Sequence, residues 1–161
     1  MKKSVIFLIA SIISSISLSA NTFTDHETGL MWQDNIEAKT VKKDWLGAID
    51  YCQNLKLDGY SDWRLPSIDE LLSITDDTRY DPAIKKRFKN VVSFRYWSSS
   101  PFVFDSSYAW RVYFSYGDDS VYHKSDSNYV RCVRDSTNTS KFDFLIEYFA
   151  KEELAKIPQP P

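Results

Sequence analysis

Gly59-Tyr60-Ser61-Asp62-Trp63-Arg64-Leu65-Pro66-Ser67 joins two stretches of helical pattern, and its reading decides the fold. Upstream, Trp45, Ala48, Ile49, Cys52 and Leu55 recur at helical spacing and mark one apolar face, with Asp44 placed to cap it. Downstream, Ser67-Ile68-Asp69-Glu70 is a capping box. Its serine hydroxyl and glutamate carboxylate each take an amide that the first turn leaves unpaired. Leu71, Leu72 and Ile74 follow as the buried side of the second helix. Two short helices around a Trp-Arg-Leu-Pro corner form a specific arrangement.

Residues 1–20 read as a secretory signal peptide. Lys2 and Lys3 give a basic start, Val5 to Ile16 is mostly apolar, and small residues surround Ser17 to Ala20. The apolar run is short and broken by serines, unlike a membrane span. Cleavage fits after Ser19 or Ala20. No cysteine follows the run, so a bacterial lipid anchor is not expected, and membrane attachment would require the segment to stay uncleaved. Without Lys2 and Lys3 the chain holds 18 basic and 22 acidic residues, a net charge of −4. That balance excludes the basic footprint of a nucleic-acid binder. The remaining length suits one domain.

Cys52 and Cys132 are the only cysteines. In an exported chain such a distant pair is most simply a disulfide, with a redox or metal-binding pair as the alternative. Phe23 to Gln33 reads as two short strands around a turn at Asp25–Gly29. Asp81-Pro82 predicts the start of a third, short helix through Phe88. From Tyr96 the pattern turns strand-rich. Tyr108 to Tyr116 alternates, with Trp110, Val112, Phe114 and Tyr116 on one face. Gly117-Asp118-Asp119 makes a turn, and Val121–Lys124 and Tyr129–Val133 complete an antiparallel meander. Helices followed by strands indicate an α+β domain over residues 21–135. Residues 136–161 read as a polar linker, an amphipathic helix over 142–157 and a Pro-rich tail.

The ordered elements are Thr28-Gly29-Leu30-Met31-Trp32, Tyr51-Cys52, Asp62-Trp63-Arg64-Leu65-Pro66 with Glu70-Leu71, Tyr96-Trp97-Ser98-Ser99, Trp110 before a Gly turn, and Val130-Arg131-Cys132-Val133-Arg134. Their order and spacing resemble the Lcl C-terminal domain family over roughly residues 22–135. That family is named for the terminal domain of a collagen-like bacterial surface protein and belongs to the C-type-lectin-like superfamily. The resemblance implies a C-type-lectin-like fold, with two main helices on twisted antiparallel strands and one Cys52–Cys132 bridge. It also implies a bacterial protein of the periplasm, the cell surface or the medium. The collagen repeat is missing here, and the oligomeric state is left open.

Trp32, Trp45, Trp63, Trp97 and Trp110 fall mostly in motif segments or on apolar faces, where tryptophan fills core. Arg64 reads as a structural cation paired with a buried acceptor. Ser98–Ser100 lack the Gly-x-Ser-x-Gly elbow of a hydrolase. The candidate ligand face is the outer side of the meander. With Trp110, Val112 and Phe114 inward, Arg111 and Tyr113 face out, and Tyr122 and Lys124 join them. Tyrosine with a cation suits sugar rings and anionic groups; the bland alternative is a solvated sheet face. Lys85, Lys86, Arg87 and Lys89 form a basic patch able to attract sulfated polysaccharide or anionic lipid. Phe102 and Phe104 are either loop anchors or an exposed tip.

Asp76-Asp77 and Asp118-Asp119 could offer oxygen ligands to calcium. The Glu-Pro-Asn, Gln-Pro-Asp and Trp-Asn-Asp signatures of calcium-dependent lectins do not occur, so no metal or other cofactor is expected. The superfamily also holds the formylglycine-generating enzymes, which need a copper-binding pair of free cysteines; assigning both cysteines to a bridge removes that chemistry. The expectation is a non-catalytic recognition module whose partner is a glycan or an envelope protein. The alternative is a structural subunit docked through residues 142–157.

Overall fold

A computed structural model describes residues 21–136. The expected signal peptide and the expected helix over 142–157 lie outside the described residues. The described part is α+β and mostly strand. β1 (Thr22–Asp25), β2 (Leu30–Gln33), β3 (Lys42–Lys43), α1 (Trp45–Asn54) and α2 (Ile68–Leu72) are followed by β4 (Arg95–Pro101), β5 (Tyr108–Tyr113), β6 (Asp118–His123), β7 (Asn128–Tyr129) and β8 (Val133–Asp135). One sheet runs β1-β2-β8 and a larger one β3-β7-β4-β5-β6.

Both helix starts form as their sequences dictate. Asp44 accepts the Gly47 amide at 2.8 Å. Ser67 accepts the Glu70 amide at 3.1 Å while Glu70 accepts the Ser67 amide at 2.8 Å, the reciprocal pair of a capping box. Between them the corner is fastened to β8: Arg64 and Val133 exchange both backbone hydrogen bonds at 2.9 Å. Arg64 also grips Glu70 through two bonds of 2.6 and 2.7 Å. It is a structural cation, as expected, but its partner is only partly buried and Arg64 itself is 42% exposed.

The larger sheet separates two packed clusters because successive strand side chains point to opposite faces. Tyr96 and Val112 join Trp32, Leu71, Ile74 and Phe114 on the α2 side. Trp97 and Ala109 join Ala48, Cys52, Trp63, Leu65 and Cys132 on the α1 side. Cys52 and Cys132 are bonded, so the bridge ties α1 to the segment entering β8.

Three expectations are corrected. No third helix forms at Asp81–Phe88. Its amides pair elsewhere: Asp81 donates to Ser115, Ala83 to Phe114 and Lys85 to Ile74, at 2.7–3.0 Å. The segment therefore runs beside the residues that follow β5 as a bend at Asp81, a single bridge at Ile84 and a turn closed by the Phe88 amide on Lys85. Second, Tyr129–Val133 is not one meander strand. β7 crosses to the far side of β4 and pairs parallel with it at Tyr96–Tyr129, while β8 joins the smaller sheet on β2. The crossover is held by the buried Arg131, which donates to the Gln33 carbonyl at 2.6 Å and to Asp34 at 3.1 Å. Third, Tyr116 leaves the apolar face, because β5 ends at Tyr113 and Tyr116 stands exposed in the following turn.

Candidate functional site

The register sets Arg95 opposite Tyr113, Trp97 opposite Arg111, Arg111 opposite Ser120 and Ala109 opposite Tyr122. Ala109, Arg111 and Tyr113 thus share one sheet face, as the alternation predicts. That face is not simply solvated. Arg111 is buried, 6% exposed. Its guanidinium donates to Ser120 Oγ and to Asn128 Oδ1, both at 3.2 Å, and lies 3.6 Å from the centroid of the Tyr122 ring. The outward-facing Arg111 of the sequence reading is therefore corrected: Asn128, brought in by β7, and Tyr122 enclose it. Tyr122 is exposed and Tyr113 half-buried.

Further cations extend the surface. Arg95 stacks on Phe94 and Tyr113, 4.8 and 4.7 Å from their centroids. Lys42 lies 4.5 Å over Tyr129 and 5.3 Å over Phe94. Phe94 contacts both Tyr113 and Tyr129 edge-on, so the rings form one continuous strip. Among the described residues, Lys42, Arg95 and Arg111 form no ion pair. Burial, and then the neighbouring charge of Arg95, pull the Arg111 guanidinium below its ordinary pKa. The Asn128 side-chain amide nitrogen, also buried, lacks a hydrogen-bond partner among the described residues.

Lys124 stands apart from this strip. Its ammonium lies 4.0 Å over the Trp45 ring and donates to the Ser106 carbonyl at 2.8 Å. With Asp44, Leu46 and Ser125 it lines a cleft of about 390 Å³. The nearby loop resolves the Phe102 and Phe104 alternatives. Phe102 is half-buried against Trp110, whereas Val103 and Phe104 are 82% and 87% exposed and form an apolar tip.

The basic run is partly neutralised. Lys85 pairs with Asp25 at 3.1 Å and Glu27 at 3.4 Å. Burial works to raise the Asp25 carboxyl, but Lys85 and the Glu27 amide hold it below the usual carboxylate range. Lys86, Arg87 and Lys89 remain exposed. Lys86 and Arg87 line a cleft of about 500 Å³ with Phe23 and His26.

Sequence reasoning missed Lys42, Arg95, Tyr129 and Asn128. The alternation Phe94-Arg95-Tyr96 carried a local signal for one cation among rings. The approach of Lys42 to Tyr129 is a strand pairing across most of the chain and has no local signature.

The fold and its surface define a disulfide-bonded α+β domain with a cation–aromatic sheet face. The model of the Lcl C-terminal domain matches residues 21–134, and the chain belongs to that family. The family points to a domain of surface or extracellular proteins. No curated protein matches the chain. Among the described residues no helix is long and apolar enough to cross a membrane.

Proposed function

We propose that this chain is an exported bacterial recognition module, without catalytic activity, of C-type-lectin-like fold, which binds an acidic glycan at the cell envelope. The single observation that carries the reading is the cation–aromatic strip: Lys42, Arg95 and Arg111 lie against rings and, among the described residues, form no ion pair. Lys42 is exposed and Arg95 half-buried, so an arriving anion can reach both. Arg95 and Lys42 offer charge-assisted hydrogen bonds to carboxylate or sulfate groups, while Tyr122 and Tyr113 offer ring faces to sugar. The engagement of both cysteines in a bridge supports a role without thiol or copper chemistry.

Heparin titrated into the full-length chain tests the reading. Binding should weaken as salt rises and should fall in Lys42→Ala and Arg95→Ala. Tight binding unchanged by both substitutions overturns it. The exposed Val103–Phe104 tip favours a second reading, an envelope protein held by apolar contact.

A further inference from the structure

The two ends of the larger sheet carry different exposed side chains. The loop joining β4 to β5 ends in Val103 and Phe104, while the opposite end, at the turn joining β5 to β6, presents Tyr116 and, beside it, Tyr80. Tyr80 is 68% and Tyr116 53% exposed, with ring centroids 5.4 Å apart. Tyr113 continues the row, 5.3 Å from Tyr116.

Backbone pairing holds the two loops together. The Asp81 amide donates to Ser115 at 3.0 Å, and the Tyr116 and Gly117 amides both donate to Tyr113. Gly117 has φ +86°, and a Cβ there would come within 3.5 Å of the Ala83 side chain, so the turn fits closely against the Tyr80 segment. The rings are thus presented by anchored backbone, which lowers the ordering cost of binding.

We infer that Tyr80 and Tyr116 form a stacking subsite for a neutral, β-1,4-linked sugar chain of glucose configuration. The inference rests on the glycan reading above and names a second ligand chemistry for it. Tyrosine offers an apolar ring with a polar tip, which suits a pyranose whose faces are C–H and whose rim is hydroxyl. Equatorial substituents leave both faces of such a sugar bare. The two rings are inclined by 56°, so they cannot both lie flat on a planar crystalline surface; they suit successive units of a single twisting chain. Charge selects against an acidic sugar here. Asp81, beside Tyr80 in sequence and acting on the Tyr116 phenol, and Asp118 and Asp119, which open β6 just after the Tyr116 turn, are exposed, repel anions and accept hydrogen bonds from sugar hydroxyls. The cationic strip begins at Tyr113, on which Arg95 stacks.

The test is calorimetric titration of the N-acetylglucosamine hexamer into the full-length chain at about 1 M salt, where screening reaches within about 3 Å. Saturable binding should persist there. Tyr80→Ala and Tyr116→Ala should each weaken it about tenfold, or about 1.4 kcal/mol. Tyr80→Phe and Tyr116→Phe should retain most of it, and Lys42→Ala and Arg95→Ala should leave it unchanged. Both tyrosines are exposed, so native melting of the alanine variants confirms that folding is intact. No saturable binding, or binding indifferent to both alanine substitutions, overturns the inference. Self-association of the chain that the same substitutions abolish also overturns it, by assigning the pair to a protein contact. Heparin binding with no hexamer binding would sink the subsite and leave the acidic-glycan reading standing; the reverse would do the opposite.

Discussion

The Arg111 guanidinium lies 3.6 Å from the centroid of the Tyr122 ring, so an exposed phenol roofs a buried cation. The two residues come from neighbouring strands, with Tyr122 opposite Ala109 in the register. Arg111 has its polar partners inside the protein and Tyr122 has a ring surface towards solvent. They should therefore fail differently when truncated.

Arg111→Ala should be primarily a folding defect. It strips Asn128 Oδ1 and Ser120 Oγ of a donor. Leaving a buried polar group unpaired costs about 1–3 kcal/mol. Tyr122→Ala should cost no more than about 2 kcal/mol from the lost cation–π contact, while weakening heparin binding. Urea unfolding of both variants separates them; a larger stability loss in Tyr122→Ala contradicts this division.

Replacing Cys52 and Cys132 by serine should lower stability by about 2–5 kcal/mol. The bridge closes a loop across 80 residues, and both sulfur positions are fully buried between α1 and the crossover into β8. Intact mass should show the chain two hydrogens lighter than its reduced form. Two free thiols in protein exported to the periplasm would contradict the bridge.

The local devices of this fold were legible in the sequence; of the non-local ones the Cys52–Cys132 bridge was expected, and the strand crossovers were not. Asp44 and the Ser67–Glu70 box act within one turn, so their spacing specifies them. The two strands around Asp25–Gly29 likewise form a local hairpin. Asp81–Phe88 has a plausible helix start, but its amides are claimed by Ile74, Phe114 and Ser115, and tertiary pairing overrides the local preference. Alternation placed Arg111 and Tyr113 on one face correctly. It could not show that β7 delivers Asn128 beside Arg111, because β7 is placed by a crossover that depends on Arg131, Gln33 and Asp34. The apolar tip was visible as Phe102 and Phe104, but only packing on Trp110 decides which one is anchored.

Trp63→Ala should damage folding. Trp63 is 2% exposed and packs in the cluster around the disulfide. Truncating a buried tryptophan typically costs about 3–5 kcal/mol. Thermal melting alongside heparin titration checks the assignment. A variant with native melting and lost binding would place Trp63 in the ligand site instead.

Acid stability should depend on Glu70. The Arg64 guanidinium, aided by the Ser67 amide and opposed by partial burial, holds its carboxyl below the usual value of 4.5. Its pKa is lower folded than unfolded, so its stabilisation is complete above the unfolded value and is lost as pH falls through the folded one. Glu70→Gln should be less stable at neutral pH, with the gap narrowing as pH drops below about 4.5. Urea unfolding across that range reads the difference. A gap that is constant with pH would show that the charge of Glu70 contributes nothing.

The last prediction locates the acidic-glycan contact. The chain without its first twenty residues carries more acidic than basic groups, so attraction to an anionic polymer must be local. The sources are the exposed Lys42 with the half-buried Arg95 at the sheet, the half-buried Lys124 at the Trp45 cleft, and the exposed Lys86, Arg87 and Lys89 on the segment after β-bridge residue Ile84. Lys85 is already paired and should contribute least. Exposed charges are screened over about 8 Å at physiological salt, so heparin binding through any of these should weaken as salt rises. Lys42→Ala with Arg95→Ala should weaken it most, because these cations lie against rings and form no ion pair among the described residues, whereas Lys124→Ala should act less, since its ammonium also serves the Ser106 carbonyl. A stronger effect from Lys86→Ala with Arg87→Ala would move the site to the cleft beside Phe23. Binding that ignores both salt and every one of these substitutions, yet falls in Phe104→Asp, would mean that the apolar tip makes the contact, and the partner would then be a protein.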